Sequence, residues 1–134
     1  MSLLISTEKE KLDIDFIHGF LTRSYWAEGR TKEEVQISIN RCLNFGVYLA
    51  SKQVGLARVL TDYTVFAYLM DVFIIEEHRG KGFSKQLMKT IMEHQDLRQI
   101  KRWMLITNDA HKLYRSFGFD VIENPSQMME KVIK

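Results

Sequence analysis

The sequence predicts a single mixed α/β domain, and three observations carry that prediction. The hydrophobic period is helical over the first third, alternating through the middle, and helical again after residue 83. The run "VFAYLMDVFII", Val65 to Ile75, is apolar on both faces, as a central strand covered above and below must be. One proline, Pro125, and no repeat or Ser/Gly-rich linker interrupt the 134 residues, a length that suits one domain over 1–134 with a substantial core.

Each element follows from its local pattern. "LLIS" reads as a short strand, and "DIDFIHGFLTRSYW" spaces Ile14, Ile17, Phe20 and Leu21 at helical intervals. "TKEEVQISINRCL" opens on Thr31 and Glu34, a capping-box pair, and continues as a helix with Val35, Ile39, Cys42 and Leu43 on one stripe. "FGVYLAS" and "VGLARVLTD" then predict a strand pair turning at "KQ". After the Val65–Ile75 strand, Leu87, Met88, Ile91 and Met92 mark a third helix behind Phe83. "RWMLIT" reads as a further buried strand, "DAHKLYRSFG" as a short helix stopped by Gly118, and "MMEKVI" as a last edge strand. The predicted order is strand, two helices, three strands, helix, strand, helix, strand. A parallel strand pair around the third helix requires a right-handed crossover.

Composition narrows the function classes. Hydrophobic residues make up 46% and charged residues 27%, with a net charge of only +2 and basic residues scattered among acids, so nothing favours a nucleic-acid partner. Cys42 is the single cysteine, which excludes an internal disulfide, and one Cys with four His offers no zinc-ligand spacing, so no metal is expected. No signal-like or membrane-spanning run is visible. A cytoplasmic protein without a membrane partner is the expectation.

The stretch "EEHRGKGFSKQLM", Glu76 to Met88, is the most informative. It joins the end of a buried strand to the start of a helix through two glycines and three basic side chains. Glycine permits a turn or a close backbone approach, and free N–H groups at a helix start favour an anion. A pyrophosphate cradle and an ordinary solvated turn both fit this local sequence. The G-x-G-x-x-G fingerprint fails for want of a third glycine, and the P-loop pattern fails because no G-K-[ST] closes the loop.

"RGKGFS" resembles the R-x-x-G-x-[GA] motif of the GNAT superfamily, the acetyl-CoA-dependent N-acetyltransferases. Arg79 falls on the first position and Gly82 on the central glycine, while Ser84 stands where Gly or Ala is usual. "LYRSFGF", Leu113 to Phe119, is similar to the family's tyrosine-bearing helix followed by G-F. The resemblance implies a GNAT-like fold and an acetyl group moved from acetyl-CoA to an amine by direct attack in a ternary complex, with no covalent enzyme intermediate. It implies further that the backbone of Val72 and Ile74 pairs with the pantetheine arm as a false strand. Arg79, Gly80, Lys81, Gly82, Phe83 and Ser84 would hold the pyrophosphate, Asn108 would touch the cofactor arm, and Tyr114 would protonate the departing thiolate.

These residues also have structural readings. Asn108 suits a helix N-cap before "DAHKLY", and Tyr114 lies on the apolar stripe Ala110, Leu113, Tyr114, Phe117 as a core tyrosine would. Asp71, inside the long apolar run, is either an ion-pair partner of Arg58 or Arg102 or a group that serves the acceptor amine. Tyr25 and Trp26, in "SYWAEGR" between the first two helices, are candidates for acceptor contact or for packing under a loop. His78 and His111 sit near the two motifs as ordinary loop histidines. A non-catalytic acyl-CoA-binding module is the rival reading. The acceptor, a small-molecule or peptide amine, stays unnamed, and the oligomeric state is open, a homodimer included.

Overall fold

The computed structural model describes residues 2–133. Five strands form one sheet in the order β1-β2-β3-β4-β5: β1 is Leu3–Ser6, β2 Leu43–Leu49, β3 Lys52–Thr61, β4 Phe66–Ile74 and β5 Arg102–Met104. The first four pair antiparallel, and β5 lies parallel to β4. Helices α1 (Ile14–Leu21) and α2 (Lys32–Arg41) cover one face, and α3 (Phe83–Glu93), the β4–β5 crossover, covers the other. A short α4 (His111–Arg115) follows β5. The mixed α/β class and the order of elements through α4 are as the sequence predicts.

The helices start where their caps require. Asp13 accepts from the N–H of Phe16 at 3.0 Å to open α1, and Thr31 and Glu34 complete the capping box of α2. Such caps contribute on the order of 1 kcal/mol each. On α3, Leu87, Met88 and Ile91 have no exposed surface and meet Phe45, Val47, Val59, Ala67 and Leu69 from the sheet. On the opposite face Ile17, Leu21, Val35 and Ile39 pack on Leu56 and Phe73.

One irregularity lets β4 serve both cores. The β3–β4 register pairs Arg58 with Met70 and Leu56 with Phe73, so Ala57 stands opposite two residues, Asp71 and Val72. Asp71 is the bulge residue, with φ +54 in the left-handed region. A bulge shifts the alternation by one. Before it, Ala67 and Leu69 face α3; after it, Phe73 faces α1 and α2 while Ile74 faces α3. Gly55 allows this crowded crossing, since a Cβ there would stand 2.6 Å from the carbonyl oxygen of Phe73.

Three local expectations are corrected. The β2–β3 hairpin turns at Ala50 and Ser51, not at "KQ", with φ +49 and +67 as a two-residue primed turn demands. β5 is only three residues long and half-buried at best, because its ladder with β4 stops after Tyr68 and Met104. The edge strand expected from "MMEKVI" does not form. After the 3-10 turn Pro125–Gln127 the chain finds no ladder partner, and Met129 and Ile133 are 94% and 81% exposed. Apolar β-formers make a strand only where a neighbour supplies the hydrogen bonds.

Candidate active site

The early end of the β4–β5 ladder opens the molecule. β4 continues to Ile74 while the chain after Met104 turns away, so the β5-facing edge of β4 has no strand partner beyond Tyr68. The result is a cleft of about 500 Å³. One wall is the bulged stretch Leu69 to Val72, the other is Leu105 to Ala110 with Tyr114, and the α1–α2 connection closes the end with Tyr25, Trp26 and Arg30.

The bulge turns Asp71 toward that connection. Its Oδ2 accepts from Arg30 Nη1 at 2.7 Å and from Arg58 Nε at 2.9 Å, and its Oδ1 accepts from the Trp26 indole N–H at 3.0 Å. A carboxylate with 1% side-chain exposure is costly to hold in the interior unless paired and hydrogen-bonded in this way. Burial works against the Arg58 guanidinium, yet Asp71 and the Cys42 Sγ, which accepts from Arg58 Nη1 at 3.2 Å, outweigh it and leave its pKa raised. The ion-pair reading of Asp71 is therefore the one its geometry supports. Arg58 is the partner the sequence proposed; Arg102 is not, since it is exposed and opposite Phe66, and Arg30 takes its place.

Tyr25 and Trp26 both reach the cleft. They pack edge to face with ring centroids 5.1 Å apart, and Trp26 also lies 6.3 Å from the Phe20 ring. The Tyr25 hydroxyl accepts from the main-chain N–H of Asn108 at 3.4 Å, which ties the α1–α2 connection to the opposite wall. Asn108 lines the cleft and is not the cap of α4; the N-cap position falls on Ala110, with no side-chain cap bond, and the Thr107 hydroxyl accepts from the Ala110 N–H at 3.1 Å in the turn before the helix.

Tyr114 stands on α4 with 9% of its surface exposed, its ring edge-on to Phe119. Gly118, at φ +92, ends the helix while Phe119 N–H bonds back to the Tyr114 carbonyl at 3.1 Å, so the Phe119 ring returns beneath the tyrosine. The phenol lines the cleft and forms no hydrogen bond through its hydroxyl among the described residues. Burial pushes its pKa up to about 12, with Tyr25 and Asp109 adding to the effect.

Beyond the end of β4, outside that cleft, lies the glycine loop. Gly80 and Gly82 have φ +78 and +81, and a Cβ at either would meet nothing within 4 Å, so backbone conformation and not space demands glycine. Gly82 caps α3 without any side-chain bond, and the N–H groups of Phe83, Ser84 and Lys85 find no acceptor among the described residues. Arg79 is turned back, its Nε donating to the Ile74 carbonyl at 2.9 Å, and so fixes the loop to the strand end. That bond takes up one of the two acceptor positions of the Ile74 carbonyl. Lys81 Nζ lies 3.2 Å from His78 Nδ1. The loop meets the requirement for a phosphate group: unpaired N–H donors at a helix start beside a basic side chain.

Six of the residues lining the cleft, Tyr25, Trp26, Asp71, Val72, Asn108 and Tyr114, are ones the sequence singles out; its charged residues Arg30 and Asp109 are not among them. Arg30 was legible only as the end of "SYWAEGR", because its pairing with Asp71 spans 41 residues.

A mixed sheet opened between two parallel strands, with a phosphate-competent turn at one end and a buried tyrosine at the other, defines an acyltransferase-like class of site. The chain belongs to the GNAT acetyltransferases, whose acetyltransferase (GNAT) domain matches residues 43–121. A crystal structure of a Xanthomonas campestris pv. campestris protein assigned to that family is 42% identical, with a TM-score of 0.95 over 99% of this chain and 94% of that one. A Gibberella zeae protein bearing an acetyltransferase name is 28% identical over 132 residues, 83% of this chain and 75% of the relative. A Clostridium acetobutylicum protein solved with acetyl-CoA shares the fold at 13% identity, with a TM-score of 0.69 over 98% of this chain and 95% of that one.

Proposed function

We propose that the protein is an N-acetyltransferase that moves an acetyl group from acetyl-CoA to an amine by direct attack in a ternary complex. The observation that carries this reading is the parting of β4 and β5, which places an unpaired strand edge, at Val72, in one cleft with the Tyr114 phenol. The residues fit the donor. The open edge of β4 offers main-chain groups to the amide-bearing pantetheine arm, as in strand addition. The N–H groups of Phe83 to Lys85, the α3 dipole and Lys81 receive the pyrophosphate. Arg79 serves by holding the loop. The donor supplies the activated thioester.

Tyr114 keeps its proton at every working pH, because burial holds its pKa at about 12. A group that must donate late in the reaction has to remain a phenol until then, and its hydroxyl is free of competing bonds. Against a reference thiol of about 8.5, transfer to a fully formed thiolate is uphill by about 3.5 units, or roughly 5 kcal/mol. The desolvation that raises the phenol also raises a thiol in the same cleft, which narrows the gap. Partial proton transfer as the C–S bond lengthens removes the need to form a free thiolate at all.

Release of free CoA thiol from acetyl-CoA, measured across a panel of amines, tests the reading. The expected result is turnover with at least one amine and acetyl-amine product in equal amount. CoA-induced stabilisation with no turnover on any amine would favour an acyl-CoA-binding module.

A further inference from the structure

At the α1–α2 end of the cleft Arg30 and Arg58 share one carboxylate, Asp71, and the exposed Glu34 of α2 also feels the charge of Arg30. The Arg58 side chain is enclosed at 8% exposure, whereas Arg30 retains 19% and lines the cleft. Only Nη1 of Arg30 is engaged; its Nε and Nη2 form no hydrogen bond among the described residues.

This guanidinium is held in place. Asp71 grips one nitrogen at 2.7 Å and is itself fixed by the Trp26 indole and by Arg58, all three on different elements. A planar fork with free nitrogens, pre-positioned and shielded from bulk water, suits a carboxylate or phosphate far better than a neutral group. Its nearest acid is already divided between two arginines. The other acid lining the cleft, Asp109, is exposed on the far wall, beside Tyr114. Among the described residues that line the cleft, Arg30 is the one cation, at the α1–α2 connection, and Asp109 is the acid beside the tyrosine. An amine directed to the Tyr114 end and an anion directed to Arg30 match that distribution.

We infer that the acceptor is a small amine carrying an anionic group, and that Arg30 receives this group. The inference rests on the N-acetyltransferase reading and names the substrate class of that same site. Amino carboxylates and amino phosphates share the needed chemistry.

The experiment compares the common α-amino acids with their carboxamides, and O-phosphoethanolamine with ethanolamine, by CoA release and by thermal shift in the presence of CoA. A charge-assisted contact of this kind gives about 10- to 100-fold in kcat/KM for the anionic member of a pair. The preferred pair tells carboxylate from phosphate. Arg30→Gln is expected to bring the ratio close to one, mainly by raising KM for the anionic member, and Arg30→Lys to restore part of it. The wild-type ratio carries the test if Arg30→Gln does not fold. Equal use of the charged and neutral members by the wild type overturns the inference and leaves the acetyltransferase reading intact. If no amine is acetylated, that reading fails, and a thermal shift from the anionic but not the neutral probes still supports an anion at Arg30; equal shifts, or none, overturn it.

Discussion

At the scale of single residues, two side chains set the character of the cleft. Tyr114 is one. If it supplies the proton, Tyr114→Phe lowers kcat by about 10²–10⁴-fold while CoA affinity hardly moves, since the ring and its contact with Phe119 remain. Near-full kcat across pH would return Tyr114 to a packing role. Burial also raises Tyr48 to about 12. Both phenols bind their protons more tightly folded than unfolded, where tyrosine titrates near 10. Their contribution to stability is present below about pH 10 and is lost as pH rises toward 12. Urea midpoints should therefore fall through that interval, and less steeply in Tyr114→Phe than in the wild type. Asp71 is the second residue. Asp71→Asn leaves Arg30 and Arg58 without their shared carboxylate, and breaking a buried pair typically costs about 3–5 kcal/mol. A large drop in urea midpoint is expected; unchanged stability with abolished turnover would instead give the carboxylate a chemical role.

At the scale of elements, the loop that opens α3 and the bulge in β4 are the two devices that make a site from a sheet. The loop offers backbone N–H groups to a phosphate, so the test of the proposed role is conformational and electrostatic together. A ligand of the native state present at 100 times its Kd stabilises by about 2.7 kcal/mol. CoA should raise the wild-type melting temperature accordingly, and Gly82→Asp should abolish the shift, because a carboxylate would sit among the N–H donors in a φ that favours glycine. A folded Gly82→Asp protein with an undiminished CoA shift would remove the phosphate loop from the mechanism. The bulge acts differently. By placing Asp71 at φ +54 it turns a carboxylate toward α1 and α2 and passes the alternation from one core to the other.

At the scale of the whole molecule, the site depends on two layers packed on opposite faces of one sheet. The α3 layer holds the loop and the crossover that keeps β4 and β5 parallel. Ile91 has no exposed surface there, and Ile91→Ala should cost about 2–5 kcal/mol in urea unfolding, as deletion of a buried aliphatic group does. A loss below about 1 kcal/mol would mean that the layer repacks around the gap. The α1–α2 layer carries Trp26 and Arg30 to the cleft, so its packing positions that end of the cleft and not the glycine loop.

By itself the sequence determined the class of fold, the capping box of α2, the core stripe of α3 and the glycine turn, because each is written in residues only a few positions apart. Period, capping box and left-handed glycine are local physics, and local physics can be read locally. Tertiary structure decided the rest. The partners of Asp71 come from Trp26, Arg30 and Arg58, separated from it by 45, 41 and 13 positions. The length of β5 and the fate of "MMEKVI" turned on whether a neighbouring strand was there to pair with, which no propensity records. Asn108 lost its capping role because α4 starts two residues later than a cap there requires, with Ala110 at the N-cap position. A cleft exists only where two strands part, and that parting is a property of the assembled sheet.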